Sequence, residues 1–253
     1  MAWTLAKVTA LLDQTLKTGK FSDHSNNGLQ VENSGRVGRI CCGVDASLEF
    51  FEAAARRKAD LVICHHGLSW GDSLKRITGL NRRLLSFLLE HDLALWACHL
   101  PLDAHPHLGN NARLAQALGV RARQPAFVYH GQKIGVRGVL PRPMTFPAFQ
   151  KRVRQVVGNE IRCLDFGRAQ VRTVGVVSGG APSQIGEAVE MGLDVYLTGE
   201  SSLYAYNLAI QEGINAVFAG HYATEKFGVQ AVGERIRQRF GLPVAFVDMG
   251  IMY

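Results

Sequence analysis

The sequence predicts an α/β fold: two related α/β domains with mixed or mainly parallel sheets flanked by helices. Three observations lead there. The first is the run strand, helix, strand over "RVGRICCGVD", "SLEFFEAAARRK" and "ADLVICHH". This is a βαβ unit, which implies a parallel strand pair with a right-handed crossover. The second is continued alternation, helix "GLNRRLLSFLLEHD" then strand "LALWACHL", the pattern of a sheet covered by helices. The third is recurrence. "RTVGVVSGGAPSQIGEAVEMGLDVYLTGE" repeats the strand–turn–helix–strand layout. An offset of 134 places Asp194 on Asp60, Gly179 on Asp45, Glu200 on His66, and Val195-Tyr196-Leu197 on Leu61-Val62-Ile63. One match of this size also arises by chance among α/β chains, so recurrence alone leaves duplication and coincidence open.

The elements follow in order. "MAWTLAKVTALLDQTLKTGK" reads as an amphipathic helix with Leu5, Val8, Leu11, Leu12 and Leu16 on one side. "FSDHSNNGLQVEN" reads as a loop with a turn at Asn27-Gly28. After the βαβ unit and the next helix and strand, "PLDAHPHLGN" reads as a loop and "NARLAQALG" as a helix. From about Ala126 the texture changes: "AFVYHGQKIGVRGVLPRPMT" has frequent Gly and Pro and short strand-like runs. "TFPAFQKRVRQVVG" is a helix with Thr145 as N-cap. "INAVFAGHYATEKFGVQAVGERIRQRFGLPVAFVDMG" reads strand, helix, strand, with the helix starting at about Tyr222. Its final strand, residues 244–247, is expected to return to the first domain's sheet. The expected domains are residues 1–125 with 220–253, carrying most of the candidate ligands, and residues 126–219.

Composition narrows the class. The 253 residues are 47% hydrophobic and 19% charged, enough apolar material for a core and no mark of wholesale disorder. The net charge is +7, with the basic residues scattered apart from clusters such as Arg56-Arg57-Lys58 and Lys151-Arg152-Val153-Arg154. Such clusters usually form solvated helix faces; a surface that attracts polyanions is the other reading. The five cysteines contain no C-x-x-C pair, and four sit in or beside apolar strand-like runs. Buried thiols in a reducing compartment follow. No stretch approaches about 18 continuous apolar residues, so no membrane span is expected. The N-terminus lacks a cationic segment followed by an apolar block, and a cytoplasmic protein is expected.

Residues able to carry chemistry gather at the strand ends. His65 and His66 end one strand, His99 and then Asp103 follow another, and His221 ends a third, with Glu225 four residues later. In "HYATE", a helical i, i+4 spacing puts His221 and Glu225 on one face, which is also an ordinary surface pairing. Neighbouring strand residues point to opposite faces, so His65 and His66 reach one centre only where the strand ends or bends. Gly67 permits that bend. Judged singly, the pair reads first as one satisfied core histidine and one exposed histidine. Taken together, imidazole nitrogens with carboxylate oxygens suit Zn, Mn, Fe, Ni or Co. Three His with Asp and Glu exceed the usual three ligands of one open catalytic zinc. They fit two metals about 3.5–4 Å apart, bridged by a carboxylate such as Asp103 or Glu225. His99 stands apart as a proton-transfer group or a support to a ligand. Asp45 suits either such support or the N-cap of the next helix, a place that Ser47 suits equally. His105 and His107 flank Pro106 and read as exposed loop residues.

The ordered motifs "SNNGLQVEN", "GVDAS", "ADLVICHHGLSW", "HLPLDAHPHLGNNARLA" and "GHYATE" span nearly the whole chain. They resemble those of the GTP cyclohydrolase 1 type 2 family, also called Nif-three-like dinuclear metal proteins. The resemblance implies a two-metal centre in a cleft between two related α/β domains. It also implies a toroidal homohexamer. Motif by motif, it implies His65, His66, Asp103, His221 and Glu225 as ligands of two divalent ions. One stretch departs from the family pattern. The second-half strand motif there often ends in Thr-Gly-Asp or Thr-Gly-Glu followed by histidines, whereas here Ser201, Ser202, Tyr204 and Tyr206 occupy the region. Glu200 keeps its place as a hydrogen-bonding group for a ligand or substrate.

Three functions are then expected to compete. A metal-dependent hydrolase would direct an activated water at a nucleotide or related small substrate, with His99 in proton transfer. A metal-binding or metal-delivery protein without turnover would use the same ligands. A ring-shaped module for nucleic acid or protein is motivated by the +7 charge. No helix-turn-helix, aromatic-basic platform or zinc-finger spacing supports the nucleic-acid version.

Overall fold

The computed structural model describes residues 2–253. The chain forms two compact units, Met1–Leu102 with Gly228–Gly250, and Asp103–Phe227 with Ile251–Tyr253. Both are α/β. The first boundary falls earlier than the expected 125/126 step. The helix Asn110–Ala117 lies against the long strands of the second unit. Its Leu114 and Ala115, with Leu118 just beyond, belong to that unit's buried core. The return to the first unit comes at Gly228, inside the helix His221–Phe240 rather than at 220.

The first unit holds a five-stranded sheet in the order Val244–Phe246, Ile40–Asp45, Leu61–His66, Ala94–Ala97, Gly28–Val31. All neighbours are parallel except the last pair. The central strands are apolar up to their C-terminal ends, where Asp45, His65 and His66 stand, as in parallel sheets covered by helices on both faces. The last strand does join this sheet, beside Ile40–Asp45. Leu5–Leu16 is helical, capped by Thr4, and buries Leu5, Val8, Leu12 and Leu16. Leu48–Arg56 is capped by Ser47, whose side chain accepts from the Phe50 N–H. Two segments read as loops are partly regular. Gly28–Val31 pairs with Ala94–Ala97, and Leu100–Ala104 is a short helix carrying Asp103.

The second unit holds a six-stranded sheet in the order Arg121–Tyr129, Gln132–Thr145, Gln170–Val176, Val195–Thr198, Asn215–Phe218, Arg162–Leu164. The short apolar runs around Ala126 are two long antiparallel strands. Only Gln170–Val176, Val195–Thr198 and Asn215–Phe218 are mutually parallel. Thr145 caps Phe146–Val157 as the sequence predicts. The helix Leu203–Glu212, which the sequence reading did not single out, is capped by Ser202 and closed by Gly213 in the left-handed region.

The two units repeat one register. Ile40 pairs with Leu61 in the first, and Val174 with Val195 in the second, each shifted by 134. Asp60 Oδ2 accepts from the Gly38 and Arg39 N–H groups, and Asp194 Oδ2 accepts from Arg172 and Thr173. The offset therefore extends to a specific side-chain-to-backbone contact. None of the five cysteines forms a disulfide among the described residues; Cys41, Cys42, Cys64 and Cys98 are buried and Cys163 is half-buried.

Candidate metal centre

In the first unit the donors stand at the C-terminal ends of adjacent parallel strands, where such sheets commonly present ligands. His65 and His66 close Leu61–His66, and His99 lies just beyond Ala94–Ala97. The strand ends at His66, and the two rings lie 4.6 Å apart, centroid to centroid. Each of His65, His66 and His99 offers a ring nitrogen, all within 4.8 Å of one another. His65 is fully buried. Gly67 serves a different end from the expected bend. A Cβ there would lie 2.3 Å from Gln30 Oε1 and 2.6 Å from the Ala97 Cβ. Gln30 needs that closeness, since its Oε1 accepts from the Leu68 and Ser69 N–H groups and so holds the turn after the histidines.

In the second unit Asp103, His221 and Glu225 come together. Asp103 and Glu225 are buried and offer carboxylate oxygens within 4.8 Å of each other. His221 Nε2 lies 3.2 Å from Glu225 Oε2. The helix begins at His221, one residue before the expected start. A buried amide network holds Asp103. Asn110 Nδ2 and Ser178 Oγ donate to its Oδ1 at 2.9 and 3.2 Å, and Asn111 Nδ2 donates to its backbone carbonyl. Gly179 has φ +67, and a Cβ there would fall 2.2 Å from Glu225 Oε1, so only glycine fits beside that carboxylate.

The four histidines share one arrangement. His65 Nδ1 lies 2.9 Å from the Cys98 carbonyl, and His66 Nδ1 lies 2.8 Å from Asp45 Oδ1. His99 Nδ1 lies 2.9 Å from Asp23 Oδ1, and His221 Nδ1 lies 2.5 Å from Glu200 Oε1. Carbonyls and carboxylates only accept, so each Nδ1 carries the hydrogen and donates. Nδ1–H is the tautomer in which a ligating histidine presents Nε2 to a metal, and at His221 that Nε2 meets Glu225 Oε2 at 3.2 Å. Asp45 thus supports His66, while the cap belongs to Ser47. Glu200 supports His221. No local signal in the sequence marks Asp23, because its partner is 76 residues away.

Charge follows this layout. Burial alone works to lower the His221 imidazolium, but the hydrogen bonds and charges of Glu225 and Glu200 outweigh it and push the pKa up to about 9. Burial alone works to raise Asp23. Hydrogen bonds from His99 and Asn27, the His99 charge and the Ser25 N–H outweigh it and hold that carboxyl below the usual carboxylate range. Nitrogen and oxygen donors in this mixture suit borderline divalent ions.

A pocket of about 360 Å³ adjoins His221 within the second unit, with Asn159, Arg162, Glu200, Ser201, Phe218 and Tyr253 in its lining. Among the described residues no helix is long and apolar enough to cross a membrane.

Comparison with known proteins gives concordant results. The family model Duf34/NIF3 (NGG1p interacting factor 3) matches residues 3–250. A Deinococcus radiodurans protein named GTP cyclohydrolase 1 type 2 homolog is 42% identical over 94% of this chain and 90% of its own. An Archaeoglobus fulgidus protein of the same name is 40% identical over 97% and 98%. The solved structure of the protein ybgI superposes with a TM-score of 0.93 at 34% identity, covering 99% of this chain and all of that one.

Proposed function

The chain belongs to the Duf34/NIF3 family, and from that membership we propose that it binds two divalent metal ions and acts as a hydrolase on a nucleotide or related small molecule. The ligands in this reading are His65, His66, Asp103, His221 and Glu225, with His99 in proton transfer. One observation carries it. Four histidines on three strand ends all give Nδ1–H to an acceptor, the tautomer in which a histidine ligates through Nε2. A single such histidine is commonplace, but four of them with two buried carboxylates match the donor set of a metal centre. When bound, the ions would supply Lewis acidity and an acidified water. The chain's own part is to hold donors rigid: Asn110 and Ser178 orient Asp103, and Glu200 orients His221. The relatives' name supports GTP as the first substrate to try. The pocket beside His221, lined by Arg162, the carboxylates of Glu160 and Glu200 and the Phe218 ring, supports a small substrate with a flat ring and polar substituents.

The test is metal analysis of protein purified without chelators, followed by incubation of that preparation with GTP. The expected result is two divalent ions per chain and release of formate, both lost in His65→Ala and Asp103→Ala. No formate with Mn, Fe, Zn or Co would remove GTP as the substrate; one ion or none would remove the dinuclear centre. A homohexamer belongs to the same proposal. The exposed Leu203, Tyr204, Tyr206 and Ile210 of Leu203–Glu212 support burial against another copy. Light scattering should then give six times the 27.7 kDa chain mass.

A further inference from the structure

The best-satisfied buried acid in the first unit belongs to none of the expected ligands. Asp23 has a side chain only 2% exposed, in a segment that is otherwise loop. Its two oxygens take four donors. Oδ1 accepts from His99 Nδ1 at 2.9 Å and the Ser25 N–H at 3.0 Å. Oδ2 accepts from Asn27 Nδ2 at 2.9 Å and the Leu100 N–H at 3.0 Å. Asn27 in turn accepts from the His99 N–H at 2.7 Å. Backbone and ring of His99 are therefore both tied to the segment 23–27. The ring keeps 22% of its side chain exposed. It packs edge-on to Trp70 with centroids 5.0 Å apart, and its centroid lies 5.2 and 5.6 Å from those of His65 and His66.

We infer that Asp23 is a positioning residue for His99, fixing its Nδ1–H tautomer and ring plane so that the Nε2 lone pair is held on the side of the ring away from Asp23, beside the His65–His66 pair. This rests on the hydrolase reading for the purpose of that lone pair, but not for its existence. A carboxylate behind an imidazole contributes mainly by selecting tautomer and orientation. A carboxylate that merely pinned a loop would need no imidazole. Here one of its four donors is the ring of a histidine that reaches solvent.

Asp23→Asn separates the two roles, because the amide keeps the shape and reverses one hydrogen-bonding position. At the Oδ2 position its NH2 would oppose both Asn27 Nδ2 and the Leu100 N–H. At the Oδ1 position it opposes one backbone N–H, and there the imidazole can yield by moving its hydrogen to Nε2 and accepting at Nδ1. The measurement is long-range 1H–15N correlation of the His99 ring in metal-free protein at mildly alkaline pH. In the natural protein the expected result is a protonated Nδ1 and a bare Nε2, with the two exchanged in Asp23→Asn. Zinc content after loading should be unchanged in Asp23→Asn and in His99→Gln, while His65→Ala loses zinc. Hydrolysis of GTP by the loaded protein should fall by about 10²–10⁴-fold in Asp23→Asn. An Nε2–H tautomer in the natural protein overturns the inference without any variant having to fold. So does loss of zinc in His99→Gln, which would make His99 a ligand. If His65→Ala keeps its zinc and the tautomers are as expected, the metal reading fails and the positioning role of Asp23 stands.

Discussion

A histidine at a strand end is useful only if its ring cannot turn, and at each of the four the partner that prevents turning comes from a different place. For His65 it is a carbonyl on the neighbouring strand's exit, for His66 the end of the other adjacent strand, for His99 a distant loop, and for His221 the exit of another strand. The histidines themselves were legible, because an apolar strand delivering polar groups at its end is a local pattern. Their supports were legible only where the next strand's end could be foreseen, as for Asp45 and Glu200. Even there, choosing between a cap and a support at Asp45 needed the cross-strand register to His66. From sequence Gly67 reads as a point of flexibility, whereas close packing is what demands it. Gly67→Ala should therefore destabilise the protein by about 1–3 kcal/mol through overpacking against Gln30 and Ala97. Urea unfolding checks this, and an unchanged midpoint would show that Gln30 can retreat at no cost.

At the level of elements, the βαβ units and their apolar strands were readable because burial on both faces leaves uninterrupted hydrophobic runs. Gly28–Val31 was not, since its Gly and Gln carry no strand signal and its pairing with Ala94–Ala97 supplies the order. Leu203–Glu212 is hard to read from sequence because its exposed Leu, Tyr and Ile blur the two-faced pattern of a surface helix. The offset of 134 proved more informative than its length suggested, for it pairs Asp60 with Asp194 in the same task of gripping two consecutive backbone N–H groups, Gly38 and Arg39 just before the strand Ile40–Asp45, and Arg172 and Thr173 within Gln170–Val176. Burial by itself would raise the Asp194 pKa. The Thr173 and Arg172 N–H groups, the Thr173 hydroxyl and the Arg168 charge outweigh that and hold it below the ordinary value. A carboxyl held low stabilises the fold above its unfolded pKa of about 4 and loses that contribution as pH falls through the folded value. Asp194→Ala should cost about 2 kcal/mol near neutrality. Denaturant curves taken stepwise into acid should show the gap to the natural protein narrowing below about pH 4. A constant gap would assign the loss to packing instead.

Across the whole molecule, the α/β class was foreseeable from alternation, and the pair of related units from recurrence together with the family resemblance, but the place of division was not. The helix Asn110–Ala117 follows the first unit's strands in sequence, yet its apolar side completes the second unit's core. Local texture changes at Ala126, whereas packing changes at Asp103. The distribution of thiols has a consequence of its own. Cys41, Cys42, Cys64 and Cys98 are fully enclosed, and burial pushes the first three upward in pKa. Cys163 is half-buried and raised to about 11. A disulfide reagent should therefore modify Cys163 first and reach the other four only when the sheet of the first unit opens. Peptide mapping after timed labelling checks the order, and early modification of Cys64 would contradict it. Because Cys64 immediately precedes His65, and the Cys98 carbonyl holds that ring, the lag before those sulfurs react is a clock for how long the histidine scaffold stays shut.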